Sequence, residues 1–204
     1  MFKRWAALLL CLIAAVNFLA GCNNNNQASK TEASKLKVSV TFNAMQEFVA
    51  AVGKDKVEIS TIIPAGTEPH DFEPKAQDLA GLSTAKVLVY SGLGMEAWAK
   101  DAISAANNAN LISVEASDGV DAITNTEPGE IKEHGQYDPH IWLSLKGAEL
   151  EVKNIKDALV KADPSNKDFY EKNCNGFVAQ LESLFNKYNE KFQSAPKKSF
   201  VTGH

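Results

Sequence analysis

The stretch KVLVYSGLGMEAW, residues 86–98, contains a strand, a turn and the start of a helix in immediate succession. Residues 86–90 form an almost unbroken apolar run, which is typical of a parallel strand covered on both faces. A helix is expected from residue 95 to about residue 106, and another strand at residues 111–114. The stretch therefore predicts the strand–helix–strand unit of a parallel α/β sheet.

The preceding residues repeat this arrangement. Apolar and polar residues alternate strictly over residues 36–42, which predicts a half-buried strand. We expect Asn43 to cap the following helix with Gln46 three positions later, and Gly53 to supply its left-handed stop. A second strand follows at residues 57–63. The resulting βαβαβα pattern predicts a parallel sheet with helices on both faces and a ligand site at the carboxyl ends of its strands.

A proline-rich loop follows the second predicted strand. Pro64 and Gly66 open it, and Pro74 closes it at a favoured first helical position, so we expect a helix that carries Leu79 and Leu82. The loop lies where the carboxyl end of the sheet should be.

The second half of the chain is predicted to be mainly helical. Residues 117–138 lack periodicity and predict an irregular surface loop, which a helix at 146–161 follows. Ser165 and Asp168 form the pattern of a capping box. Apolar residues then recur every three or four positions from Tyr170 to Phe192, which predicts one helix from residue 165 to about 194, roughly 45 Å long.

The amino terminus has the pattern of a secretion signal. Lys3 and Arg4 precede an apolar run at residues 6–19 that is short for a membrane span, although an uncleaved anchor helix is the alternative. The sequence LAGC at residues 19–22 resembles the bacterial lipobox, so we expect Cys22 to be lipidated and to tether the protein to the membrane.

Composition excludes one class of function. The chain has a net charge of −4, and its one arginine lies in the predicted signal, so it has no basic patch for nucleic acid. Once Cys11 has left with the signal and Cys22 is lipidated, Cys174 has no cysteine to pair with, and we expect it to be a small buried residue.

These patterns predict five segments. The fold class is α/β, with a parallel-sheet lobe and flanking helices followed by a long helix and the first strand of a second lobe that the chain does not complete. The segments are a lipoprotein signal peptide (1–21), a disordered tether (22–35), an amino-terminal α/β lobe (36–162), a long linker helix (163–195) and the start of the second lobe (196–204).

Three of the four histidines occupy distinctive settings. His70 lies between two prolines in PHDFEP, His140 lies in DPHIWL, and His204 ends the chain in VTGH. Neutral imidazoles suit zinc, and three of them leave room for an oxygen ligand. Each histidine alone is more often a surface or hydrogen-bonded residue, so spacing by itself does not establish a site.

Together, the motifs resemble a known family. PHDFEP, GLGMEAW, DPHIWL, the long helix and the terminal VTGH resemble the zinc- and manganese-binding solute-binding lipoproteins of ABC transporters. The resemblance implies two α/β lobes joined by a rigid helix, with the metal between them. It implies His70, His140 and His204 as ligands, with a fourth, acidic ligand beyond residue 204, so that the site in this chain should be more open than a complete one.

The resemblance also implies partners and a location. We expect Zn²⁺ as the cargo, with Mn²⁺ as the alternative, and an ABC importer permease as the partner. The protein should be extracytoplasmic, held at the membrane by its lipid anchor and monomeric, and it should not be an enzyme.

Three alternatives stay open at the level of sequence. His134, with Glu127, Glu130 and Glu133, is interpreted as part of a solvated acidic face, with an auxiliary metal-collecting role as the alternative. The sequence GLGMEA, with Glu115 after the next strand, fits the dinucleotide fingerprint of an oxidoreductase. A zinc hydrolase would need a base beside the metal, for which the acidic residues of the stretch 68–73 are the candidates.

Overall fold

The computed structural model describes residues 34–199, apart from the side chains of Glu130, Glu133 and His134. Cys22, His204 and the strand predicted near residue 200 therefore lie outside the described residues, and the domain boundaries stay predictions. The strands are β1 (Leu36–Val40), β2 (Val57–Thr61), β3 (Val87–Tyr90) and β4 (Ile112–Glu115). The α-helices are α1 (Asn43–Gly53), α2 (Ala99–Ala105), α3 (Pro128–His134), α4 (Leu145–Ala162) and α5 (Lys167–Ser194).

The four strands form one parallel sheet in the order β2-β1-β3-β4. On one face Val38, Val40, Val87 and Val89 join the buried side chains of α1, α4 and α5. On the other face Leu88 packs with Ala102 of α2. The α/β class predicted from the alternation of apolar residues is therefore confirmed.

Helix α5 is a single element of 28 residues, about 42 Å long at 1.5 Å per residue. Its first half packs against α4 and α1 through Tyr170, Cys174 and Val178, all buried. In its second half Leu184, Tyr188 and Phe192 are 41%, 41% and 65% exposed. The predicted apolar stripe therefore exists, but the described part of the chain buries only half of it.

The ends of α1 differ from the prediction. Asn43 is its first residue, and its side chain makes no capping hydrogen bond; the Gln46 amide oxygen instead accepts a bond from the Thr61 hydroxyl at 2.8 Å. Lys54, with φ of 47°, takes the left-handed conformation expected at Gly53. Gly53 is required for packing, because a Cβ there would lie 2.5 Å from the Val57 side chain.

The capping box predicted at the start of α5 is also wrong. A 3₁₀ turn at Pro164–Asn166 precedes the helix, and the Ser165 hydroxyl donates to Asp163 at 2.5 Å. Asn166 and Tyr170 donate to the same carboxylate, and these bonds lower its pKa. One acidic side chain therefore organises the corner between α4 and α5.

Two irregular regions also differ from the prediction. No α-helix begins at Pro74 in the structure; turns continue to a short 3₁₀ helix at Ala80–Ser83. The loop at residues 117–138 contains α3 and an antiparallel bridge between Thr124 and Tyr137.

Across residues 34–199, no helix is both long enough and apolar enough to cross a membrane.

Gly176 in α5 offers a test of helix propensity. A Cβ at this position meets no atom within 4 Å, so nothing in the described structure requires glycine. We expect Gly176→Ala to raise the free energy of unfolding by about 1 kcal/mol, measured by urea denaturation. Gly147→Ala is the control and should destabilise the fold, because its Cβ would lie 2.4 Å from the Ile141 carbonyl oxygen. A destabilised Gly176→Ala variant would contradict the expectation.

Candidate metal centre

The loop that carries His70 begins at the carboxyl end of β2. Backbone bonds from Ile62 N to Val40 O (2.9 Å) and from Ile63 N to Thr41 O (2.8 Å) hold it beside β1. The turn around His70 closes through Phe72 N and Pro69 O at 3.4 Å. The loop is thus joined to the sheet at its base and closed on itself at the histidine.

Asp138 holds His140 in a fixed orientation. Its Oδ1 atom accepts bonds from the His140 backbone N at 2.9 Å and from ring Nδ1 at 2.7 Å. The intervening Pro139 is buried. The His140 ring also lies 5.4 Å from the Trp142 ring, which packs edge-on against Phe42 at 4.8 Å. The side chain is therefore held by a carboxylate on one side and by aromatic packing on the other.

The two histidines, 70 residues apart in sequence, meet at their ring nitrogens. The Nε2 atoms of His70 and His140 are 3.1 Å apart, and the rings cross at 63°. Both residues are half-buried, the His140 side chain being 20% exposed. Two imidazole nitrogens bound to one tetrahedral zinc lie about 3.3 Å apart, since each Zn–N bond is about 2.0–2.1 Å. The spacing fits two ligands of one ion.

The Asp138 contact also selects the His140 tautomer. With Nδ1–H donated to the carboxylate, Nε2 keeps the lone pair and directs it towards His70. Metal-bound histidines in proteins are commonly oriented in this way, and the carboxylate makes the ring a stronger donor to the ion.

The described residues supply these two nitrogens and no further ligand. Within residues 34–199, no group of three or more His, Cys, Asp or Glu side chains is arranged to hold a metal. The Glu68 carboxylate accepts a bond from the His70 backbone N at 3.3 Å. His204 lies outside the described residues, and the His134 side chain is not described. The structure therefore brings together two of the three predicted ligands.

A cleft of about 360 Å³ opens beside His140. Asp138 and His140 line one side, Gly147 and Leu150 of α4 another, and Ile123 a third. His140 and Asp138 therefore border a partly apolar cleft that is open to solvent.

The glycine turn after β3 does not leave a phosphate site. Glu96 accepts bonds from the backbone N of Ser91 (2.9 Å) and of Gly92 (3.1 Å). Glu115 accepts from Leu93 N at 3.3 Å and lies where a Cβ on Gly92 would be. In a dinucleotide-binding turn such N–H groups donate to the pyrophosphate, but here they donate to two carboxylates. The oxidoreductase alternative is not favoured.

Sequence comparison gives the family. Residues 38–204 match the model of ZnuA, the zinc-uptake complex component A, periplasmic. The chain belongs to the ZnuA family. It is 37% identical over 217 residues to the high-affinity zinc uptake system protein ZnuA of Bacillus subtilis, a match that covers all of this chain. It is 33% identical over 207 residues to the manganese ABC transporter substrate-binding lipoprotein PsaA of Streptococcus pneumoniae, a match that covers 98% of this chain.

Structural comparison agrees. The crystal structure of Zn(II)-bound AdcA from Streptococcus pneumoniae matches with a TM-score of 0.75 and 33% identity, covering 84% of this chain and 36% of AdcA. This chain spans 66% of the length of ZnuA and of PsaA. These relatives are metal-binding proteins of uptake systems rather than enzymes. They agree with the expectation that this ZnuA-family chain is a metal-binding protein and not an enzyme.

Sequence reasoning did not single out Asp138. The available indication was an acidic residue two positions before the histidine, with a proline between them that restricts the backbone. That spacing lets one carboxylate reach both the backbone N and the ring Nδ1 of His140.

We expect Asp138→Asn to lower zinc affinity by about 10–100-fold, because the ring loses the charged acceptor that holds its orientation and tautomer. Competition titration with a chromophoric chelator would measure the change. Asp121→Asn is the matched control, since it removes the same charge from the same cleft without touching the ring. Equal losses in both variants would show that net charge, and not ring orientation, is responsible.

Proposed function

We propose that this chain captures zinc outside the cytoplasm and delivers it to an ABC importer, without covalent chemistry. The observation that carries the proposal is the 3.1 Å approach of the His70 and His140 Nε2 atoms. Two segments far apart in sequence converge there, and one ring is oriented by Asp138 as in a metal-ligating histidine.

His204 is the third proposed ligand. It ends the VTGH motif, and a third imidazole would bring the ion closer to the four-coordinate geometry that zinc adopts. The fourth ligand is proposed to be a carboxylate of a second lobe. The greater lengths of ZnuA and PsaA support a second lobe in proteins of this kind.

The ligand type favours zinc as the cargo. Imidazole nitrogens suit zinc, whereas manganese prefers sites richer in carboxylate and carbonyl oxygen. The described centre contributes two nitrogens, and the Asp138 carboxylate is engaged with His140 Nδ1 on the other side of the ring. ZnuA and AdcA are named as zinc proteins, and PsaA as a manganese protein, so Mn²⁺ is the second candidate.

The remaining parts of the proposal concern location and partners. The signal pattern and Cys22 in LAGC support a lipid anchor at the outer side of the membrane, and relatives such as PsaA are named lipoproteins. The importer permease is the proposed partner, and the protein is proposed to act as a monomer. His134 is proposed to lie outside the primary site, with weak metal collection as its possible role.

Removing either ring should nearly abolish zinc capture. His70→Ala and His140→Ala are each expected to reduce zinc affinity by more than about 10–100-fold, which is the loss expected when only a hydrogen-bond partner of a ligand is removed. The measurement is competition titration, with circular dichroism to verify folding. His134→Ala is the control and should change the affinity little. Equal effects from all three substitutions would show that the site is misplaced.

Metal selectivity gives a separate test. Protein purified without added metal is expected to contain zinc, and manganese should not displace that zinc at equal concentration, since a nitrogen-rich site discriminates against manganese. Elemental analysis before and after dialysis against manganese would measure this. Co-purification with manganese, retained in the presence of zinc, would contradict the proposed cargo but not the position of the site.

A further inference from the structure

A second polar cluster, distinct from the two histidines, lies at the ends of β3 and β4. Ser91 directly follows β3 and continues the alternation of Val87 and Val89, which face α4. Ser117 lies just beyond β4, and its backbone N donates to Ser91 O at 3.1 Å. Both serines are essentially fully buried, so their hydroxyls are shielded from solvent.

Helix α4 adds a carboxyl group to this cluster. The Asn154 amide donates to Ala116 O at 2.8 Å and to Asp118 O at 2.9 Å, which seats one face of α4 on the residues around Ser117. Glu151 lies one turn earlier on the same face and is fully buried. The charge of Glu96, in the turn after β3, acts on it. Glu151 is therefore directed to the same end of the sheet as the two serines.

Four atoms of this cluster lack a hydrogen-bond partner among residues 34–199. They are the hydroxyl oxygens of Ser91 and Ser117 and both carboxyl oxygens of Glu151. A buried polar atom without a partner costs about 1–3 kcal/mol, and native proteins rarely leave one unsatisfied. Four such atoms at one end of the sheet need hydrogen-bond partners that the described residues do not supply.

Burial, together with the charge of Glu96, determines the ionisation of Glu151. The Glu96 carboxylate accepts bonds from the Thr41 hydroxyl at 2.6 Å and from two backbone N atoms, all of which favour its anion. Burial raises the pKa of both carboxyl groups, but Glu151 has no donor to oppose this effect, so burial and the charge of Glu96 raise its pKa to about 8. Of the two, Glu151 holds the proton at neutral pH.

The elements packed around Glu151 bring no compensating positive charge among the described residues. Helices α1 and α5 contribute apolar side chains to this core, together with the Cys174 thiol and the Tyr170 hydroxyl, which is bonded to Asp163. On α4 itself, Lys146 pairs with Glu149, Lys156 pairs with Asp157, and the charges of Lys156 and Lys153 act on the Cys174 thiol. At the end of β4, Glu115 bonds to Tyr90 and Leu93, and Asp118 carries a further negative charge.

We propose that Ser91, Ser117 and the carboxyl group of Glu151 enclose an internal site for ordered water. A buried water molecule forms about three hydrogen bonds, and it can donate and accept at once. It therefore suits two hydroxyls and a neutral carboxyl group, each of which also does both. The site does not depend on the metal-binding proposal, because it uses none of the histidines.

Thermal unfolding across pH tests the state of Glu151. In the unfolded chain this carboxyl ionises near 4.5, whereas in the folded chain it keeps its proton up to about pH 8. The folded state therefore binds more protons between these values, and stability falls as pH rises through them. Relative to Glu151→Gln, which cannot ionise, the folding constant of the wild type should fall by about tenfold per pH unit between pH 5 and 8.

Glu149→Gln is the matched control, because it removes a carboxylate two residues away that is paired with Lys146. The Glu149→Gln curve should follow that of the wild type over the same interval. Parallel curves for the wild type and Glu151→Gln would overturn the proposal, since Glu151 would then titrate alike in both states.

Ser117→Ala tests the water site without changing charge and serves if Glu151→Gln does not fold. It removes one partner of the water and should lower the melting temperature by about 2–4 °C per lost hydrogen bond. A high-resolution crystal structure should show a water within hydrogen-bond distance of Ser91, Ser117 and Glu151. An unchanged melting temperature, or side chains that bond directly to one another, would overturn the proposal.

A bound cation is the remaining outcome to distinguish. Unfolding would be measured with a chelator and then with sodium, potassium, magnesium or calcium added. Stabilities independent of these ions support water, whereas stabilisation that disappears in Glu151→Gln would overturn the proposal in favour of a cation held by ionised Glu151.

Discussion

The parallel direction of all four strands is the constraint on which the remainder of the structure depends. All four strands begin at the same edge of the sheet. The segments that follow β1, β2, β3 and β4 therefore all leave from the opposite edge, at the carboxyl ends of the strands. The His70 loop leaves from β2 there, and the glycine turn leaves from β3. Functional side chains from distant parts of the sequence therefore meet without any local sequence relation between them.

Several polar groups also lie at that edge, and each of them needs a hydrogen-bond partner. Thr41 after β1 and the backbone of the turn after β3 converge on the Glu96 carboxylate. The Glu115 carboxylate accepts one bond from the backbone N of Leu93, the next residue of the turn, and another from the Tyr90 hydroxyl. The turn resembles a nucleotide-binding turn in sequence, but its donors are used internally. The same residues that exclude a phosphate thus hold the ends of three strands together.

The two histidines of the proposed metal centre are positioned in different ways. Asp138 fixes one imidazole through two bonds to a single oxygen, and Trp142 and Phe42 support that ring from the sheet. The His70 turn is closed by the bond between Phe72 N and Pro69 O, and the Glu68 carboxylate accepts a bond from the His70 backbone N. One imidazole is thus oriented by a carboxylate, and the other is brought to it by a turn between two prolines.

The sequence by itself determined the α/β class, the long helix α5 and the motifs by which the chain resembles its family. Strand alternation, helical periodicity and short motifs are local properties, and residues such as Val87, Tyr170 and His140 carry them directly. It did not determine how α1 and α5 are capped, because Gln46 and Ser165 bond to Thr61 and Asp163 instead of forming capping boxes. Only the tertiary structure decided that His70 meets His140, that Glu96 and Glu115 fill the glycine turn and that Glu151 is buried. The His70–His140 and Leu93–Glu115 contacts join residues 70 and 22 positions apart in sequence, and only the packing of α4 and the loops onto the sheet brings such residues together.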